Sequence, residues 1–296
     1  MLDFRPVLYI IGILLTTLAA AMCAPLVADL VVGHPDWQVF AGSAGLTAFI
    51  GITLMLTTMA PPDRFSVRQA FVLTTLSWVT MTFFASLPFV FADLGLSFTD
   101  AFFEAMSGLT TTGSTVITSL DSTPSGILLW RAILQWLGGI GIIVMSIAIL
   151  PMLKIGGNQL FQMESSDRSE KVLPRVAQIA SGVGFVYLAL TAACAAFLWL
   201  AGLKGFDAIA HGMTTIATGG FSTRDGSIGA FLNPTVEIIL TCFMVLGALP
   251  FVLYLQAVRG KPLVVFRDSQ VRWFFWIVTF FVVSVHVTVR ASVPPP

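Results

Sequence analysis

The sequence predicts an all-α membrane protein with about seven transmembrane helices and two re-entrant loops that enter the membrane without crossing it. Three observations predict this. The 296 residues are 56% hydrophobic and only 10% charged, where a soluble chain carries about 25% charged residues; mean hydropathy is +0.91. The apolar residues fall into seven runs long enough to span a bilayer. Two long linkers between them are rich in Thr and Gly and resemble each other. So much apolar surface cannot all be buried in one soluble core, so lipid must solvate much of it.

The spans, in order, are about 6–32, 38–60, 66–91, 126–153, 174–202, 233–259 and 270–290. Each approaches or exceeds the roughly 20 apolar residues that cross a hydrocarbon core. The first is too long for the apolar core of a cleaved signal peptide, and a second run follows at once. Trp37, Trp130 and Trp273 suit interfacial belts. Cys23, Cys194 and Cys242 all lie inside apolar runs, where an odd number forms neither a disulfide framework nor a zinc site; they read as small core hydrophobes.

Lys and Arg fix the expected orientation. With the N-terminus cytoplasmic, eleven of the fifteen lie inside and four, Arg131, Lys204, Arg224 and Arg290, lie outside. The linkers at 61–65, 154–173 and 260–269 are then cytoplasmic, and those at 92–125 and 203–232 are external. Asp93, Asp100, Glu104, Asp121, Asp207 and Asp225 sit in or beside the external linkers. An acidic outer mouth would concentrate cations. The formal net charge of zero gives no signal for nucleic acid.

The external linkers match at an offset of 107 residues without a gap: Asp100-Ala101 with Asp207-Ala208, Met106 with Met213, Thr111 with Thr218, Gly113 with Gly220. Each lies between two spans, giving a unit of span, short helix, Thr/Gly stretch, span. Internal repeats with a site at their interface are common in membrane transport proteins.

In the first linker, Ser97 or Thr99 caps a helix with Asp100 in its first turn. About twelve residues rise roughly 18 Å, enough to reach mid-membrane but not to cross. The negative end of the helix dipole then points at the membrane centre, which favours a cation. Irregular backbone at that depth survives only if protein buries it or it lines water. The stretch Thr110-Thr111-Thr112-Gly113-Ser114-Thr115 can offer a ladder of carbonyl oxygens that replaces the hydration shell of a monovalent cation. The second linker repeats the plan with a helix over 206–216 and Ala217-Thr218-Gly219-Gly220-Phe221-Ser222.

At these residues the chain resembles the TrkH-type subunits of the Trk/Ktr/HKT superfamily of potassium transporters. Met106-Ser107-Gly108-Leu109-Thr110-Thr111-Thr112-Gly113-Ser114-Thr115 is similar to the family's first filter, and Ala217-Thr218-Gly219-Gly220-Phe221-Ser222-Thr223 to its second. Gln135-Trp136-Leu137-Gly138-Gly139-Ile140-Gly141 and Ala148-Ile149-Leu150-Pro151-Met152-Leu153 resemble the helix after the first filter. The resemblance implies K⁺ binding by the backbone carbonyls of Thr111, Thr112, Gly113, Thr218, Gly219 and Gly220, with K⁺ as cargo and no cofactor. It also implies uptake across a bacterial inner membrane, channel-like or as symport, by a homodimer regulated by a cytoplasmic, nucleotide-binding TrkA-type subunit.

On this reading, residues 1–65 are two N-terminal transmembrane helices, 66–153 and 174–259 are two pore-loop repeats, and 270–296 is the first helix of a third. The family has four repeats, so a truncated chain is expected. A non-conducting assembly half that needs the missing repeats is the alternative.

Glu104 and His211 share one repeat position. They are candidate pore-mouth ionisable groups, or groups that bond nearby backbone. A polytopic enzyme using them as acid and base is a remote alternative, since the chain has no Gly-x-Ser-x-Gly elbow and no His-Glu-x-x-His. Arg131 and Glu237, near outer span ends, are expected to snorkel or to anchor a loop. His34 and His286 show no ligand spacing, and no transition-metal site is expected. Gly156-Gly157 lacks the pattern of a phosphate loop.

Overall fold

The computed structural model describes residues 3–59, 66–153 and 172–292. The charged linker 61–65, most of the linker 154–173 with its Gly156-Gly157 pair, and the Pro-rich end lie outside the described residues.

Helices α1 (Arg5–Val32) and α2 (Trp37–Thr57) form an antiparallel hairpin. They meet where Gly12 faces the Gly51 carbonyl, a backbone approach that needs small residues. Helix α3 (Val67–Phe91) starts with a capping box: the Ser66 hydroxyl accepts from the Gln69 N–H, and the Gln69 carboxamide oxygen accepts from the Ser66 N–H. A short helix α4 (Phe98–Leu109), an irregular loop and the long helix α5 (Ser125–Leu153) follow. The same order recurs in α6 (Val172–Leu200), α7 (Gly205–Ile216) and α8 (Pro234–Ala248). The chain continues through α9 (Phe251–Val258), α10 (Val264–Arg267) and α11 (Ser269–Ser292). Among the described residues there is no strand.

Among the described residues five helices, α1, α2, α3, α5 and α6, are long and apolar enough to cross a membrane. The expected sixth span, 233–259, is not one rod. It is the pair α8 and α9, bent by 90°. The cause is Pro250: the residue before a proline is pushed out of the helical region, and Leu249 is extended at φ −77°, ψ 150°. The seventh, α11, has a shorter apolar part over Ser269–Val285. Trp273, Trp276, Phe280 and Phe281 on it are exposed.

Two apolar cores match the two halves. One joins α1 to α5 through Leu15, Phe40, Phe89, Leu109 and Trp130; the other joins α6 to α9 through Tyr187, Leu198, Ile216, Leu240 and Phe251. Trp130 is fully buried, not interfacial: its indole N–H donates to the Ala85 carbonyl at 3.0 Å, and its ring meets the edge of Phe40. A buried indole needs such a partner. Of the three cysteines only Cys194 is in a core; Cys23 and Cys242 are exposed on their helices.

Candidate functional site

Helix α4 is twelve residues long and capped by Ser97, whose hydroxyl accepts from the Asp100 N–H while the Asp100 carboxylate accepts from the Ser97 N–H. Its far end is a Schellman turn. The Thr111 N–H donates to Gly108 at 3.0 Å and the Thr112 N–H to Ser107 at 2.9 Å. The turn needs one left-handed residue, usually glycine; here it is Thr111 at φ 54°. A β-branched residue there is a backbone outlier.

Each feature recurs 107 residues on. Helix α7 ends with Thr218 donating to Thr215 at 3.0 Å and Gly219 to Thr214 at 2.8 Å. Thr218 is left-handed at φ 53°; Gly113 and Gly220, each two residues past its threonine, lie at φ 81° and 84°. A strained threonine two residues before a left-handed glycine, twice, is strain of the kind that collects at functional sites. Among the described residues no backbone N–H donates to the carbonyls of Thr111, Thr112, Gly113, Thr218, Gly219 or Gly220.

The loops touch. A Cβ on Gly113 would collide with the Gly219 carbonyl oxygen, so glycine is demanded by space as well as by φ. Gly220 has open space around it.

Helix α5 passes behind both loops. A Cβ on Gly138 would collide with the Leu109 carbonyl, and one on Gly139 would lie 3.1 Å from Ala217 and 2.6 Å from the Tyr187 hydroxyl. The two glycines let α5 lie against the ends of both short helices. Gln135, fully buried, accepts from the Phe221 N–H at 3.0 Å, and its carboxamide fills the place where Gly219 would carry a side chain.

Arg131 is buried, 1% exposed, and so does not snorkel. Its Nε donates to Glu104 at 2.7 Å, its Nη1 donates to the Ser222 carbonyl at 2.9 Å, and its guanidinium lies 4.1 Å over the Phe221 ring. Glu104 also accepts from the Thr115 hydroxyl and from the Val116 N–H, the latter at 3.0 Å. One ion pair therefore ties the first loop to the second. Glu104 and His211 are both buried and do not bond to each other; each holds its own loop. His211 Nε2 lies 3.2 Å from the Ser222 hydroxyl and Nδ1 2.8 Å from the Asp207 carbonyl. Glu104 with Thr115 and His211 with Ser222 are the same contact at the same offset. Glu237 is exposed in the first turn of α8, where the helix dipole favours it.

The external loops latch. Arg224 bridges Asp207 at 3.1 Å and Asp121 at 3.4 Å, which keeps its guanidinium pKa above the ordinary value. Asp225 accepts from the Leu120 N–H at 2.8 Å, and this bond holds its carboxyl below the ordinary range. Of the six external acids, Glu104 and Asp207 are buried and engaged, and Asp100 caps α4. The exposed acidity is Asp93, Asp121 and Asp225, a smaller mouth than the sequence implies.

Sequence reasoning found the loops and allowed Arg131 to anchor one, but it missed the partners Glu104 and Ser222 and the role of Gln135. The signals were Gln135 four residues after Arg131, one helical turn on the same face, and an arginine inside an apolar run.

The chain is similar to known proteins over most of its length. Residues 37–293 match the family TrkH, described as cation transport protein. The potassium uptake protein TrkI of the Trk system of Halomonas elongata is 44% identical over 270 residues, 91% of this chain and 55% of that protein. TrkH of Escherichia coli K12 is 38% identical over 280 residues, 93% of this chain and 58% of that protein. The crystal structure of the potassium transporter TrkH from Vibrio parahaemolyticus superposes with a TM-score of 0.86 at 38% identity, covering 95% of this chain and 58% of that one. The chain thus spans just over half the length of the relatives it matches.

Proposed function

The chain belongs to the TrkH family of cation transport proteins and is a multi-pass membrane protein; from that premise we propose that it forms part of a K⁺ uptake pore. The carrying observation is the paired loops. Two Schellman-ended short helices deliver Thr111-Thr112-Gly113 and Thr218-Gly219-Gly220, with carbonyls that no backbone amide among the described residues uses, into mutual contact. Carbonyl oxygens on a rigidly backed loop can stand in for the hydration shell of K⁺. The two repeats, 66–153 and 174–259, each supply one wall of the path, after the N-terminal pair within 1–65 and before the helix opening at 270. The proposed setting is a bacterial inner membrane with the N-terminus cytoplasmic, as eleven of fifteen basic residues favour. A homodimer working with a TrkA-type cytoplasmic subunit completes the proposal. Glu104 and His211 brace the loops, which leaves the acid–base enzyme reading without support.

The test is K⁺-dependent growth of a host lacking its own uptake systems, expressing the 296-residue chain. Rescue that Gly113→Ser abolishes supports conduction by these two loops. No rescue despite verified insertion supports an assembly half that needs further repeats; selectivity is then measured in a fusion to the C-terminal part of a relative. Unchanged K⁺ over Na⁺ selectivity in both Gly113→Ser and Gly220→Ser overturns the assignment of the loops.

A further inference from the structure

The α1–α2 turn carries an arrangement that ion passage does not use. Helix α1 ends in a Schellman turn at Gly33, with the His34 N–H donating to the Asp29 carbonyl at 2.9 Å. This folds the imidazole back toward Asp29. Asp36 occupies the N-cap of α2, yet its carboxylate makes no capping bond; one oxygen lies 3.7 Å from His34 Nδ1. An Asp29 oxygen, a His34 nitrogen and an Asp36 oxygen all lie within 4.8 Å of one another.

These are acceptors facing acceptors. The Asp36 N–H donates to His34 Nδ1 at 3.3 Å, so that nitrogen carries a lone pair, which a metal would take over from this long hydrogen bond. Asp29 is fully buried; one oxygen accepts from the Gly126 N–H at 2.6 Å and the other has no partner among the described residues. A buried carboxylate oxygen without a donor is costly. A cation in the middle removes that cost. We propose that Asp29, His34 and Asp36 form a binding site for a divalent transition metal of the Zn²⁺ class.

The donor set selects the class. One imidazole and two carboxylates suit Zn²⁺ and its neighbours, whereas Mg²⁺ and Ca²⁺ prefer shells of oxygen alone. Tetrahedral ligands about 2.0 Å from zinc lie roughly 3.3 Å apart, so the three groups need only a small closure. Three protein ligands leave a fourth position for water, and the half-exposed His34 gives an entry path. The Gly126 N–H, in the first turn of α5, orients Asp29 as an outer-shell partner. A bound metal would therefore fasten the α1–α2 turn to the helix that backs both loops. The spacing Asp-x4-His-x-Asp was visible in the sequence; the helix end between its members hid it.

The test is calorimetric titration of the tag-free chain in detergent with ZnCl₂ and, separately, MgCl₂, alongside thermal unfolding. The expected result is one saturable Zn²⁺ equivalent, no comparable Mg²⁺ binding, and a higher melting temperature with Zn²⁺. His34→Ala changes a turn side chain with little packing and should weaken Zn²⁺ binding by about 100-fold or more, beyond what loss of an outer-shell partner costs. Asp36→Asn should weaken it in the same direction, and a Cys23→Ser/Cys242→Ser variant should bind as wild type. Absence of saturable Zn²⁺ binding, or His34→Ala binding unchanged, overturns the site.

Discussion

The two loops share a backbone and differ in what stands behind it. Turn hydrogen bonds, left-handed threonines and left-handed glycines agree residue for residue at an offset of 107. The backing does not. Glu104 receives a hydroxyl, a backbone amide and a guanidinium, whereas His211 at the matching position bonds one hydroxyl and one carbonyl. The asymmetry comes from α5. Arg131 and Gln135 both reach from the first repeat into the second loop, and Ile238, at the repeat position of Arg131, has no polar group to return the contact. A duplicated backbone can thus be held by unequal side chains, provided one helix serves both copies.

Breaking the shared tie should produce the largest effect. Arg131→Met leaves Glu104 buried and unpaired and removes the bond to Ser222. Losing one partner of a buried pair costs about 3–5 kcal/mol. A steep drop in melting temperature and in folded yield is expected. Glu104→Gln alone should be nearly as harmful, and the double variant Arg131→Met/Glu104→Gln should recover part of the loss. Strict additivity in that cycle would mean the two side chains are not coupled.

The glycines sharpen the comparison next. Both carry left-handed backbone, so Ala at either costs about 1–2 kcal/mol for conformation alone. Gly220 has room for the new methyl, while Gly113 faces the Gly219 carbonyl. Gly113→Ala should therefore be the more damaging in ion flux and in melting temperature. Equal losses would show that the Gly113–Gly219 contact contributes nothing.

How far these features were legible follows from the range of the forces involved. Spans are written in runs of about 20 apolar residues, and five helices formed as read. The break at Leu249-Pro250 was also written, but the unbroken apolarity of 233–259 masked the proline. The Ser97–Asp100 cap and the repeat were legible because both are local or periodic. Arg131 was legible as a loop anchor but its partners were not, because they lie 27 and 91 positions away and only the packing of α5 brings them together. The same blindness hid Trp130, whose belt-like position is overridden by a buried acceptor at Ala85.

His211 offers a smaller break. His211→Phe keeps the ring volume and removes both polar contacts of the imidazole, while the Ser222 hydroxyl still accepts from the Arg224 N–H and the Asp207 carbonyl keeps its place in the α7 ladder. The loss of one or two neutral hydrogen bonds costs about 1–3 kcal/mol, less than breaking the charged tie behind the first loop. Thermal unfolding of His211→Phe beside Arg131→Met ranks the two backings; a larger loss for His211→Phe would mean that the neutral backing of the second loop outweighs the charged one of the first.

The smallest effect is external and depends on pH. Asp225 accepts from the Leu120 amide, and that bond lowers its folded pKa below the ordinary carboxylate value. A depressed carboxylate stabilises fully above its unfolded pKa, about 3.9, and that contribution fades as pH falls through the lower folded value. Asp225→Asn keeps an acceptor oxygen but has no charge to lose. Melting temperatures of the two proteins should differ slightly at neutral pH, with wild type the higher, and converge as pH drops below about 4. Parallel curves across that range would mean that Arg224, bridging Asp121 and Asp207, latches the two loops without help from Asp225.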